Sequence, residues 1–247
     1  MSRLIKALLL SSLIYLIPSN GCATNRSLAE ESTLQLPSIS TAELLTLPQY
    51  QLQVKATVLI AVSKNRIGSG VLISATPGKP AVILSAAHLF TDQLTGEPLT
   101  DVSILISPRG LSDNLIIPVQ LVALDSSKDI ALLITTLSWE LEKIEIELDD
   151  TNLKRGEKVS VISFPLGNGP RLADGLVSDG VDRLGNGFYI LTVPIYYGSS
   201  GGGVWQGDRL VGIISGMQVA ESSGRTLVPG ATLAVDSESI AQFLSNL

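Results

Sequence analysis

Apolar residues occupy every second position from Leu52 through Val54, Ala56, Val58 and Ile60 to Val62. Alternation of period two puts successive side chains on opposite faces, so this pattern predicts a half-buried strand starting at Gln51. Short apolar runs follow at 70–74, 81–85, 102–107, 116–124, 131–135, 158–164, 187–193, 203–205, 210–215 and 232–235. Turn residues separate them: Thr76-Pro77-Gly78, Gly167-Asn168-Gly169-Pro170, Leu184-Gly185-Asn186-Gly187 and Gln206-Gly207-Asp208. Gly tolerates positive φ, and Asn and Asp bond their own backbone, so these are hairpin and loop signals. Many short strands without helical periods between them exclude βαβ units and predict an all-β sandwich or barrels. Only the end reads as helix. Ile240, Phe243, Leu244 and Leu247 recur at helical spacing across 239–247, with Ser237 placed to cap them.

Composition narrows the chemistry. Hydrophobic residues make up 45% of the 247 and charged residues 16%, enough apolar material for a packed core and outside the disordered class. The net charge of −6 argues against a phosphate-tracking surface, so no nucleic-acid partner is expected. One Cys, Cys22, excludes an intramolecular disulfide and a Cys-cluster zinc site. One His, His88, excludes HExxH and other two-His metal sites. The expectation is a protein without metal or cofactor, whose chemistry depends on a single imidazole.

The first residues read as an export signal. Arg3 and Lys6 precede an apolar stretch at 7–17, too short to span a bilayer as a helix and suited to a signal peptide. Residues 1–21 hold both cations and no acid, so their removal makes the net charge more negative by two. Cys22 directly follows Gly21, an arrangement that resembles the bacterial lipoprotein signal, in which such a Cys is lipidated and becomes the new N-terminus. Ser19 departs from that pattern, which prefers an aliphatic residue three before the Cys. The alternative is a plain secretory signal cut after Ala23 or Ala29. Residues 23–48 are rich in Ser, Thr, Glu and Pro and read as a tether with one helical turn at 41–45. The predicted organisation is a signal at 1–21, a tether at 22–49 and one β-domain at 50–247. The expected location is the bacterial cell envelope, periplasm or outer membrane, with membrane contact only through a lipid on Cys22.

Three segments carry candidate chemistry. In Leu84-Ser85-Ala86-Ala87-His88-Leu89-Phe90 an apolar run leads into the only His. In Asp125-Ser126-Ser127-Lys128-Asp129-Ile130-Ala131-Leu132-Leu133 an acid immediately precedes an apolar run, and Asp125 reads as a turn residue. In Gly198-Ser199-Ser200-Gly201-Gly202-Gly203 a Ser lies among glycines. Each alone has an ordinary structural reading: a half-buried imidazole, a turn, a flexible loop. Together, in the order His88, Asp129, Ser200, they resemble the chymotrypsin-like serine peptidases of the trypsin and HtrA type. The resemblance extends to Gly68-Ser69-Gly70-Val71-Leu72-Ile73 before the His, and to Gly203-Val204-Trp205 and Leu210-Val211-Gly212-Ile213-Ile214-Ser215-Gly216 after the Ser. It covers about residues 50–247.

That resemblance implies two six-stranded antiparallel β-barrels with a short C-terminal helix. It implies Ser200 as nucleophile, His88 as general base and Asp129 as the carboxylate that orients the imidazole. Backbone N–H groups across Gly198, Ser199 and Ser200 would form the oxyanion hole. Ser199 and Gly203 depart mildly from the family, which commonly has Asn or Asp and then Pro there. Ser215 matches a Ser that hydrogen-bonds the carboxylate. Pro194, six residues before the nucleophile, would lie at the floor of the primary specificity pocket, with Gly216 and Met217 as one wall. The stretch 193–197 contains no acid to attract Arg or Lys, so a small or apolar residue before the scissile bond is expected. No Ile-Val segment follows a basic residue as in trypsin-type zymogens, and only one helix follows the barrels, so no PDZ module is expected. Protein or peptide substrates are the expected partners; oligomeric state is open. Two alternatives remain. One is an inactive or latent relative that binds peptides in the same cleft. The other is a β-rich adhesin or sugar-binding module, which would leave His88 and Ser200 far apart and display an aromatic platform; aromatics are only 4%.

Overall fold

The computed structural model describes residues 47–62, 66–92, 95, 97–99, 104–107, 116–139, 143–149, 153–180, 187–220 and 226–247. The signal at 1–21, Cys22, the helical turn at 41–45 and the turn residues 184–186 lie outside these. The described chain enters through a 3₁₀ turn, Pro48–Tyr50, and a short helix α1, Gln51–Ala56. Helix α1 occupies half of the stretch expected to be strand. Gln53 and Val54 are both buried, which period-two alternation forbids. Pro48 begins the helical stretch, where its missing N–H costs nothing, and Thr57 ends it by donating its hydroxyl to the Gln53 carbonyl.

Thirteen strands follow among the described residues: β1 Thr57–Val62, β2 Arg66–Ala75, β3 Val82–Ser85, β4 Ile104–Ser107, β5 Ile117–Asp125, β6 Ile130–Thr135, β7 Ile144–Glu145, β8 Lys158–Ser163, β9 Arg171–Asp179, β10 Phe188–Leu191, β11 Gly203–Gln206, β12 Arg209–Ala220 and β13 Thr226–Asp236. All ladder pairings are antiparallel. They build two closed six-stranded barrels. The first runs β1-β4-β5-β6-β3-β2 and closes through β1–β2, with β7 added to β2. The second runs β10-β13-β12-β11-β8-β9. Closure removes exposed strand edges from both.

Alternation sorts the interiors. Val204 joins Val159, Val161, Tyr189 and Ile214 inside the second barrel. Its neighbour Trp205 points the other way, into a cluster with Leu210, Ile213 and the C-terminal helix. That helix, α2 (Ser237–Ser245), buries Ile240 and Phe243 there. Its cap is Asp236, one residue earlier than expected; the carboxylate accepts the Ser239 N–H at 2.6 Å, leaving Ser237 as the first helical residue.

Candidate active site

The site is assembled by ends of strands from both barrels. The turn that follows β3 is a 3₁₀ turn, Ala87–Leu89, and carries His88. The β5–β6 hairpin carries Asp129, which takes φ +56°, a left-handed conformation that Asp tolerates better than most residues. Asp125 closes the same hairpin: its carboxylate accepts the N–H groups of Ser127 and Lys128 and the Ser127 hydroxyl. These bonds, the hydroxyl's first, hold the Asp125 pKa below the usual carboxylate value. Of the two acids, Asp125 closes the turn and Asp129 faces the imidazole.

His88 Nδ1 lies 2.9 and 3.1 Å from the two Asp129 oxygens, and the His88 backbone N–H donates to the same carboxylate at 2.8 Å. A carboxylate only accepts, so Nδ1 bears a proton, and in the neutral ring Nε2 is then the acceptor. The imidazole side chain is 39% exposed and the Asp129 side chain 15%, so the acid is shielded while the ring reaches solvent. Ser215 lies at a bulge, where the β12–β13 register shifts between Ile214 and Gly216. A bulge re-aims a side chain. Here the Ser215 hydroxyl donates to Asp129 Oδ2 at 2.5 Å, while its carbonyl accepts the Ser200 hydroxyl at 3.3 Å. Ser215 therefore meets Ser200 through its backbone carbonyl and Asp129 through its hydroxyl. The Ser200 hydroxyl is directed to the Ser215 carbonyl instead of His88.

The loop around Ser200 is held through its carbonyls. Tyr196 O accepts from Ser199 N, Tyr197 O from Leu166 N, Ser199 O from Gly202 N and Ser200 O from Ser69 N, at 2.7–2.9 Å. Gly198 O accepts the Ser69 hydroxyl at 2.7 Å. A trans peptide aims its N–H opposite to its carbonyl. With Tyr197 O tied to Leu166, the Gly198 N–H faces away from that anchor. Among the described residues, neither the Gly198 nor the Ser200 N–H has a protein acceptor. An oxyanion hole requires donors of this kind, free of protein acceptors and next to the hydroxyl. Ser199 contributes differently: its side chain is buried and accepts from Tyr196 N and the Ser163 hydroxyl, both at 3.2 Å.

The other residues named from sequence fall around this centre. Gly216 faces open space, since a Cβ there would meet nothing within 4 Å. Met217 packs partly buried against the interior of the second barrel, paired across from Thr232, whose hydroxyl donates to the Val193 carbonyl at 2.6 Å. Pro194, Tyr196 and Tyr197 are exposed. Two further residues hold the site, Arg66 and Ser69. Arg66 donates to the carbonyls of His88, Leu89 and Thr91 and so pins the turn that carries the imidazole. Ser69 holds the nucleophile loop from β2. Ser69 had a sequence signal in its flanking glycines; Arg66 had none.

Comparison with known proteins agrees with this architecture. A family model described as a trypsin-like peptidase domain matches residues 68–213. No curated protein matches. Among solved structures, the Rv3671c protease of M. tuberculosis H37Rv in an inactive form superposes with a TM-score of 0.60 at 16% identity, covering 82% of this chain and 94% of that one. A serine endoprotease from Yersinia pestis gives a TM-score of 0.60 at 20% identity, over 84% of this chain and 66% of that one. An HtrA-type protease solved with a tripeptide gives a TM-score of 0.60 at 22% identity, over 84% and 63%. At these identities the structural likenesses speak for the fold alone. The match to the family, which spans more than half of the chain and contains all three candidate segments, shows that this chain belongs to the trypsin-like peptidase domain family.

Proposed function

We propose that the protein is an exported serine endopeptidase that cleaves peptide bonds through an acyl-enzyme. The observation that carries this reading is the Asp129 carboxylate held between His88 Nδ1 and the Ser215 hydroxyl, beside two N–H groups on the Ser200 loop that have no protein acceptor among the described residues. In the first step Ser200 Oγ attacks the substrate carbonyl carbon and its proton passes to His88 Nε2. Asp129 holds Nδ1–H and stabilises the imidazolium. The carbonyl oxygen, now negative, takes hydrogen bonds from the Gly198 and Ser200 N–H groups, each worth about 3 kcal/mol. His88 then protonates the departing amine, and the tetrahedral intermediate collapses to the Ser200 ester. Water, deprotonated by His88, adds to that ester; collapse breaks the bond to Ser200 Oγ and releases the carboxylic acid, and His88 returns the proton to Ser200. The open face at Gly216 accommodates the substrate as an added strand. The absence of an acid across 193–197 favours a small or apolar side chain before the scissile bond. Residues 1–21 direct export, and Cys22 carries a lipid that ties the mature chain to the cell envelope.

One observation favours a second reading, a latent site: the Ser200 hydroxyl donates to Ser215 O and not to the imidazole. A fluorophosphonate probe separates the two. The parent should label, Ser200→Ala and His88→Ala should not, and labelled protein should sediment with membranes unless Cys22 is replaced by Ala. A folded parent that fails to label sinks the peptidase reading in favour of latency. Labelled protein that stays soluble with Cys22 intact sinks the lipid anchor.

A further inference from the structure

Ser69 is fully buried on β2 between two glycines, and each of its backbone and side-chain polar groups named here is committed. Its N–H donates to Ser200 O at 2.7 Å. Its carbonyl accepts the Ser85 hydroxyl at 2.8 Å. Its own hydroxyl donates to Gly198 O at 2.7 Å and accepts from Phe164 N at 2.8 Å. A hydroxyl has one proton to give, and it is given to Gly198. One first-barrel side chain therefore joins the exit of β8 to the loop of candidate oxyanion donors. The neighbouring glycines let it approach: a Cβ at Gly68 would collide with Leu89, and one at Gly70 would lie 2.8 Å from both Ile60 and Ile83.

Gly198 lacks a Cβ to restrict its own rotation, so its orientation must come from bonds to its two flanking peptides. The peptide before it is held by Leu166 N–H on Tyr197 O. The peptide after it is held by Ser69 Oγ on Gly198 O and by Ser199 N–H on Tyr196 O. We infer that Ser69 is a positioning residue, whose hydroxyl fixes the Gly198 backbone so that the Gly198 and Ser200 N–H groups converge on the developing oxyanion. It rests on the peptidase reading for the identity of the oxyanion.

The test compares the parent with Ser69→Ala and Ser69→Thr, the second of which retains an Oγ. Saturation kinetics with the fluorophosphonate probe separate the maximal labelling rate from the half-saturating concentration. Loss of an entire oxyanion donor costs about 10²–10³ in rate, and a donor loosened but present should cost about 10- to 100-fold. Ser69→Ala should lower the maximal rate by that factor, with the half-saturating concentration changed less than about threefold and Ser69→Thr restoring most of the rate. A merely structural role would reduce the amplitude of labelling, through the fraction folded, and leave the rate of what remains unchanged; that result, or a Ser69→Ala rate within about twofold of the parent, overturns the inference. Should the parent itself not label, the peptidase reading fails instead, and crystal structures of the parent and Ser69→Ala decide the positioning claim. A Gly198 carbonyl that turns from its parent direction supports it; an unchanged loop overturns it.

Discussion

At Gly198 the backbone takes φ +92°, and a Cβ there would lie 2.7 Å from the Phe164 carbonyl. A left-handed conformation costs an L-residue about 1–2 kcal/mol, before the clash is counted. Gly198→Ala should therefore lower the melting temperature by about 5 °C in a chain of this size. It should also displace the N–H beside Ser200 and slow fluorophosphonate labelling by about 10²-fold or more. Labelling at the parental rate would mean that Gly198 N–H is no part of the site. Asp129 takes a positive φ as well, but its environment uses it: the turn presents both carboxylate oxygens to His88 and leaves Oδ2 for Ser215. At this scale the three segments supply a hydroxyl, an imidazole and a carboxylate, while hydrogen bonds that hold them come from Ser69, Arg66 and Ser215 on other segments.

The β5–β6 hairpin shows how an element carries a site residue. Its ends are paired, Asp125 with Ile130, and the turn between them is closed by the Asp125 carboxylate. The Asp125 pKa is depressed in the folded chain, so its contribution to stability is present above the ordinary value of 3.8 and is lost as pH falls through the lower folded value. Asp125→Asn should destabilise the protein by about 1 kcal/mol at pH 7. The melting temperatures of parent and variant should draw together as pH falls below 3.8; a gap that does not narrow there would show that ionisation of Asp125 does not matter. Element boundaries are legible where a short run is buried on both faces and turn residues bound it. Strands β3, β6, β8 and β11 begin and end within a residue of the runs expected from sequence. Strand β9 was not legible, because Arg171–Asp179 has one buried position, Val177, among polar and exposed neighbours. Its pairing with β8 and β10 defines it. Helix α1 was misread for the opposite reason: its apolar positions alternate by coincidence, while Gln53 is buried through its amide, which donates to the Gly207 carbonyl.

The whole molecule supplies the low-dielectric interiors on which both barrels depend. Tyr189 is fully buried in the second, where its hydroxyl accepts the Leu153 N–H at 3.1 Å. Burial pushes its pKa above 10, because phenolate is poorly solvated there. A folded pKa raised above the unfolded one means that this stabilisation is complete below pH 10 and is lost as pH rises toward the folded value. Thermal melts from pH 8 to 11.5 should show the parent losing stability above pH 10. Tyr189→Phe should start about 1–3 kcal/mol lower, since Leu153 N–H loses its acceptor, and should decline less steeply. Equal slopes for the two proteins would exclude Tyr189 as the titrating group.

The linear order of residues sufficed for the all-β class and the helical end, because periodicity and turn chemistry are local properties; His88, Asp129 and Ser200 were singled out only by the order of their segments, through the resemblance to chymotrypsin-like peptidases. Barrel closure, the burial of Ser199, the exposure of Tyr196 and Tyr197, and the roles of Ser69 and Arg66 depended on contacts between residues far apart in the chain. Ser69 meets Gly198 only once β2 and the β10–β11 loop pack together, and no period or motif in either segment encodes that meeting. The direction of a backbone N–H is set in the same way, by whichever distant donor holds the carbonyl beside it.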